Sequence, residues 1–256
     1  MSTKKVIAVV PSRMGSSRFP GKPVTPISGL PMIEHVRRRV ELASSIDEVV
    51  VATCDQEIMD IVERAGGKAV MTADTHERCT DRVAEAMESL EGDIVVIVQG
   101  DEPLLLPEVL DRLVVPFRED NSVYCTNIVS RIRTQEDLED VDMVKALLSE
   151  TDDIMCFTRA PAPYQRIDGE RPMYRQTGLS AFSCDFLTTF TKSPETRLEV
   201  IESIDFLRIV GHGYKIRAVV HDGRTLGVDR PEDVARIEQV LSDDPVQADL
   251  FNMIST

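Results

Sequence analysis

Short apolar runs alternate with amphipathic segments through the first half of the chain, and this alternation limits the fold more than any other feature. Val6–Val10 is continuously apolar, as a strand covered on both faces requires. Glu48–Ala52, Lys68–Thr72 and Asp93–Pro103 repeat the pattern, the last ending in a polar turn. Helical segments are predicted between and after them, over Pro31–Leu42, Gln56–Ala65, Thr80–Leu90 and Pro107–Phe117. Gly66 and Gly67 mark a helix stop, and Pro31 suits an early helical position. Strand–helix alternation predicts an α/β fold with a mostly parallel sheet and helices on both faces. Ligands then gather at the carboxyl ends of the strands. The segments 12–22, 53–55, 72–82 and 99–102 fall there.

The second half is more mixed and reads as a smaller lobe or arm over about residues 123–220. Val123–Ile132, Ile154–Thr158, Gly178–Ser183 and Lys215–Val220 are predicted strands. The stretch "RAPAPYQRIDGERPMYRQ" reads as a loop, and Leu198–Val210 as a helix with a stripe of Leu198, Ile201, Ile204 and Leu207. A helix opens at Pro231, and the residues from Ser242 on read as a loose tail. All 256 residues are expected to form a single domain that includes this lobe.

With 42% hydrophobic residues, the chain can fill a core of its own. Its formal charge of −15 argues against a nucleic-acid partner, since phosphate backbones need a basic face. The five cysteines are widely spaced with no C-x-x-C pair, which argues against a disulfide framework or a zinc site and fits reduced thiols in the cytoplasm. No apolar run is long enough to span a membrane, and the first is too short for a signal-peptide core.

Three stretches carry chemistry. In "PSRMGSSRFPGKPV", Arg13, Arg18 and Lys22 can pair with phosphate oxygens, and Gly15 lets backbone amides approach. The stretch has neither a Walker ending nor a G-x-G-x-x-G. In "VQGDEP", Asp101 follows a strand beside that loop, a natural Mg²⁺ ligand, because Mg²⁺ takes one or two carboxylates plus substrate phosphates. In "GVDRPEDV", Asp229 either caps a helix or shares the metal with Asp101. His35, His212 and His221 attract no role.

The segments "VPSRMGSSRFPGKPVTPISGLPMIEHV", "VVVATCDQEI", "VMTADTHERCTDRVAEA", "VQGDEPLLLPEVL", "FTRAPAP", "LEVIESIDFLR" and "VDRPEDV" occur in one order. That order resembles the 3-deoxy-manno-octulosonate (KDO) cytidylyltransferases over roughly Val6 to Leu241. The resemblance implies a Rossmann-like nucleotidyltransferase sheet and Mg²⁺-dependent transfer of CMP from CTP to an anionic acceptor, with release of pyrophosphate. It also implies a cytoplasmic homodimer, the arm-like stretch Thr134–Arg175 being able to support the contact. By the same resemblance, Arg13, Arg18 and Lys22 hold the triphosphate. Pro11, Ser12, Gly15, Thr53, Thr72 and Gln99 lie in segments that enclose the nucleotide, and Asp101 and Asp229 match the metal-binding acids. On the acceptor side fall Arg78, Cys79, Thr80, Arg159, Gln176, Ser180, Glu202, Asp205 and Phe206. The choice of CTP over UTP or GTP rests on the resemblance alone.

The nucleotide half follows the family pattern and the acceptor half departs from it. In "HERCTDR", Arg78 stands for a serine and Cys79 for a glycine. In "QTGLSAF", Gln176 stands for a histidine and Ser180 for a tyrosine. In "DFLR", Phe206 stands for a glutamine. Each lost polar partner costs roughly 1–3 kcal/mol against a polyhydroxylated acceptor. The acceptor is thus expected to be KDO itself, a modified ulosonic acid such as an amino sugar acid, or a small phosphonate such as phosphonoformate. A non-catalytic nucleotide-binding module is the alternative of another class, and it would need neither Asp101 nor Asp229.

Overall fold

Strand β1 (Val6–Ser12) is buried along its whole length, as its apolar run predicts. It belongs to a computed structural model that describes residues 4–16, 18–166, 173–223 and 226–255. A 3-10 turn over Lys22–Val24 follows, then a hairpin of β2 (Pro26–Ile27) and β3 (Leu30–Pro31). Next come α1 (Met32–Glu41), β4 (Glu48–Thr53), α2 (Gln56–Arg64), β5 (Lys68–Met71), α3 (Cys79–Met87), β6 (Ile94–Ile97) and α4 (Pro107–Glu119). β1 pairs in parallel with β4 on one side and β6 on the other, and β4 pairs in parallel with β5. The registers Ser12↔Thr53 and Thr53↔Met71 bring the carboxyl ends of β1, β4 and β5 to one edge. Gly66, at φ +80, ends the turn after α2 in the left-handed region, as the helix-stop reading requires.

Beyond α4 lie β7 (Cys125–Ile132), α5 (Gln135–Glu139), β8 (Lys145–Leu148), β9 (Ile154–Thr158), β10 (Met173–Ser183), α6 (Cys184–Lys192), α7 (Arg197–Glu202), α8 (Leu207–Gly211) and β11 (Arg217–Val220). The chain closes with α9 (Pro231–Asp243) and α10 (Pro245–Ile254). It divides into two compact units, Met1–Asp111 with Arg224–Thr256, and Arg112–Gly223. The second unit takes in the lobe expected over about residues 123–220. In it β10 runs antiparallel to β7 and β8, β8 antiparallel to β9, and β11 parallel to β7. Its core is aromatic. Phe206 meets Phe182 at 5.6 Å, Phe157 at 6.1 Å and Phe190 at 6.2 Å between ring centroids.

Three expectations are corrected. The predicted helix Leu198–Val210 is two short helices, because Ser203 turns left-handed at φ 53. Ile204 and Leu207 are buried while Leu198 and Ile201 face outward, so the apolar stripe is not continuous. The loose tail is instead the helix α10, capped by Asp244, whose side chain accepts from the Val246 and Gln247 amides. It docks on α1: Phe251 stacks on His35 at 5.3 Å, and Arg38 Nη1 donates to the Ile254 carbonyl at 2.6 Å. Of the predicted loop 159–176, β10 already includes 173–176, and residues 167–172 lie outside the described ones. Among the described residues no helix is long and apolar enough to cross a membrane.

His35 is fully buried, with Nε2 against the Ile27 carbonyl at 2.8 Å. Burial lowers its pKa from 6.5 to about 4. The folded state thus resists a proton that the unfolded chain accepts, so stability is full above pH 6.5 and falls as pH drops toward 4. The loss reaches roughly 3 kcal/mol at full protonation. Urea unfolding of the wild type and His35→Gln at pH 7 and pH 5 is expected to show a shallower pH slope in the variant.

Candidate active site

A cavity of about 340 Å³ opens where the loops after β1, β5 and β6 meet. The first loop is shaped by main-chain bonds to one residue. The Met14 amide donates to Asp55 Oδ2 at 2.8 Å, and the Met14 carbonyl accepts from the amides of Ser16 at 2.9 Å and Gly21 at 3.1 Å. This arrangement presents Arg13, Gly15 and Ser16 to the cavity. Gly15 needs no special accommodation, since a Cβ there would meet nothing within 4 Å. Gly100 does, because a Cβ would sit 3.1 Å from the Pro11 carbonyl. That glycine lets the β6 turn close against the end of β1.

The second wall is the segment entering α3. His76 pairs with Glu85, which also accepts from the Ala73 amide. The Ala73 amide first, and His76 second, hold the Glu85 carboxyl below its ordinary pKa. Arg13 Nη1 reaches the His76 carbonyl at 3.5 Å. Arg78 and Cys79 line this wall, and Gln99 Nε2 lies 3.5 Å from Cys79 Sγ. Arg82 is the functional residue that sequence reasoning passed over. It is only 3% exposed and lines the cavity, with Nη1 fixed by the Thr72 hydroxyl at 2.5 Å and the Ala73 carbonyl at 3.2 Å. Its Nη2 is buried with no hydrogen-bond partner, and the Ser12 hydroxyl on the facing strand end is in the same state. Buried polar groups in native proteins are nearly always hydrogen-bonded, so a ligand or an ordered water would complete both. The signal was present in the sequence: an arginine one helical turn beyond the already noted Arg78 faces the same way.

The third wall carries Asp101. Lys22 Nζ donates to Asp101 Oδ2 at 2.6 Å and to the Val228 carbonyl at 2.8 Å. The Val228 amide donates to the Asp101 carbonyl at 2.9 Å, so the segment bearing Asp229 is stitched to the one bearing Asp101. Val228 is anchored in an apolar cluster with Ile27, Met32, Leu104, Ile237 and Leu241, against which Phe19 of the first loop also packs. Asp229 is exposed and lies 3.8 Å from Arg18 Nη1. Its amide donates to Asp233 Oδ2, so here Asp233, rather than Asp229, caps α9. Asp101 and Asp229, on segments joined through Val228, are the carboxylates that would hold Mg²⁺ jointly with phosphate oxygens. Among the described residues no set of three His, Cys, Asp or Glu could enclose a metal unaided.

Of the expected residues, Pro11, Ser12, Arg13, Gly15, Lys22 and Gln99 line the cavity from the nucleotide side, with Asp101 beside them. Arg18, Asp229, Thr53, Thr72 and Thr80 do not line it. Thr53 is buried and supports the turn through its hydroxyl, which accepts from the Asp55 amide at 3.1 Å. Thr72 holds Arg82, and Thr80 is buried in α3.

In the other unit, Arg159 and Glu202 bind each other. The Arg159 amide donates to Glu202 Oε2 at 2.9 Å, and Arg159 Nε to the Glu202 carbonyl at 2.8 Å. Asp205 sits just past the break after α7, half-buried, and its carbonyl accepts from the Arg208 amide at 2.9 Å. Gln176 and Ser180 flank the register shift in β10, which the Asn127 side chain fills by donating to the Thr177 and Leu179 carbonyls. Phe206 is 5% exposed and sits among aromatic rings.

Residues 7–217 match the family described as cytidylyltransferase. The chain is 40% identical over 245 residues to the 3-deoxy-manno-octulosonate cytidylyltransferase of Syntrophus aciditrophicus (strain SB), covering 93% of this chain and 98% of that protein. It is 38% identical over 241 residues to the 8-amino-3,8-dideoxy-manno-octulosonate cytidylyltransferase of Shewanella putrefaciens (strain CN-32 / ATCC BAA-453), with 93% and 98% covered. The solved structure of a CMP:2-keto-3-deoxy-manno-octonic acid synthetase complexed with CTP superposes with a TM-score of 0.90 at 33% identity, covering 94% of this chain and 99% of that one. The chain belongs to the cytidylyltransferase family, and with it to the nucleotidyltransferases.

Asp55→Ala removes the acceptor that fixes the first loop. It is expected to cost about 1–2 kcal/mol of stability and to weaken pyrophosphate binding, read by calorimetry. Asp55→Asn keeps an acceptor oxygen and is expected to recover most of both.

Proposed function

We propose that this protein transfers CMP from CTP to a KDO-type sugar acid and releases pyrophosphate. The observation that carries the reading is the cationic cavity of an otherwise acidic chain. Arg13, Lys22, Arg78 and Arg82 converge on one space at the carboxyl edge of the sheet, and two buried donors there await a ligand. Relatives and a structural neighbour whose names state this chemistry support the choice of nucleotide and acceptor.

In the transfer, an acceptor oxygen forms a bond to the α-phosphorus of CTP, and the bond from that phosphorus to the bridging oxygen of pyrophosphate breaks. Negative charge gathers on the departing pyrophosphate. Arg13 and Lys22 are placed to bind it, and Gly15, which also lines the cavity, leaves the backbone there open to close approach. Arg82, locked by Thr72 and Ala73, offers its free Nη2 in a fixed direction. Asp101 and Asp229 would hold Mg²⁺, which when bound would neutralise phosphate charge.

The acceptor part of the reading has one competitor. Arg78 lines the cavity at the position where the family pattern resembled by the sequence has a serine, and a guanidinium there favours an acceptor with more negative charge, such as a small phosphonate. Pyrophosphate release with CTP and KDO, 8-amino-3,8-dideoxy-KDO or phosphonoformate tests both. Turnover of a sugar acid supports the proposal. Turnover of phosphonoformate alone moves the acceptor to that class, and CTP binding without turnover of any acceptor sinks the catalytic reading. Asp101→Asn is expected to lower kcat/KM by on the order of 100-fold or more.

A further inference from the structure

We infer that the Lys22 ammonium is the resident counter-ion of the metal-binding acids, holding their position until a divalent cation and phosphates arrive together. The inference rests on the reading that Asp101 and Asp229 hold Mg²⁺. Lys22 Nζ contacts a carboxylate oxygen of Asp101 at 2.6 Å and the carbonyl of Val228, the residue before Asp229, at 2.8 Å. A cation thus already binds oxygens from both acid-bearing segments. The Lys22 side chain is 13% exposed and that of Asp101 36%, so this pair is short and partly shielded, whereas the Arg18–Asp229 pair is long at 3.8 Å and open to water. Exposed pairs of that kind contribute little, so of the two cations Lys22 is the one that governs access to the Asp101 carboxylate.

The consequence is a coupled exchange. A divalent ion arriving alone must displace the ammonium, which then has no new partner, or bind beside a charge that repels it. Phosphates arriving alone offer Lys22 a partner but face the Asp101 carboxylate. When both arrive, Lys22 moves to phosphate and Asp101 to the metal, and every charge remains paired. Metal and nucleotide each raise the affinity for the other, by the same factor.

The test measures Mn²⁺ binding to the full chain without nucleotide, by the paramagnetic resonance signal of the free ion. Lys22→Gln is expected to bind Mn²⁺ on the order of tenfold more tightly than the wild type. Lys22→Arg, which keeps the cation, is expected to show no such gain, and Asp101→Asn in the Lys22→Gln background is expected to abolish it. Should Lys22→Gln fail to fold, Lys22→Met carries the same comparison. Equal Mn²⁺ affinity in the wild type and the neutral variant overturns the inference, as does the absence of binding to every variant at millimolar ion, which also removes the metal assignment. A gain in Lys22→Gln with no CTP turnover by the wild type leaves the counter-ion role standing and strikes only the transfer reaction.

Discussion

Burial of β1 on both faces is the constraint on which the rest of its unit depends. A strand with no exposed side needs covering helices and strands on either edge, and β4 and β6 supply the edges in parallel. Parallel pairing places successive strand ends on one rim, so three loops distant in sequence meet without a dedicated scaffold. Gly100 shows how close the meeting is: a Cβ there would stand 3.1 Å from the Pro11 carbonyl, tight enough that the end of β1 would have to give way. The cavity follows from strand direction before any catalytic residue is considered.

Charge is distributed against the average of the chain. A protein of net charge −15 repels a nucleotide triphosphate at long range, and four cationic side chains gathered in one cavity reverse the sign locally. The cations are kept in place by means other than the ligand. Lys22 is paired with Asp101, Arg82 is tied to main-chain and hydroxyl oxygens, and Arg13 leans on a carbonyl. Pre-positioning of this kind reduces what must be ordered when a ligand binds.

Much of the first unit was legible because its signals are local. Val6–Val10 announces a buried strand by composition alone, and the glycine pair after α2 announces a stop. Asp101 and the arginines of the first loop stand out as charges at strand ends. Failures came where the deciding contact is distant or is a backbone angle. Nothing in "IESID" signals the left-handed Ser203 that splits the predicted helix. The terminal helix was read as a tail because its partners, His35 and Arg38, lie far away in α1. The ring of Phe206 belongs to an aromatic core that no short window reveals.

The Met14 junction has a consequence for variation within the first loop. Its three contacts all use main-chain atoms of residue 14, so the loop's shape does not depend on that side chain. The constraint is exported to Asp55, 41 positions along the chain. The geometry tolerates any side chain at residue 14 that keeps a backbone amide, but not the loss of the carboxylate after β4, so the shape of this loop is partly written beside a different strand from the one that carries it.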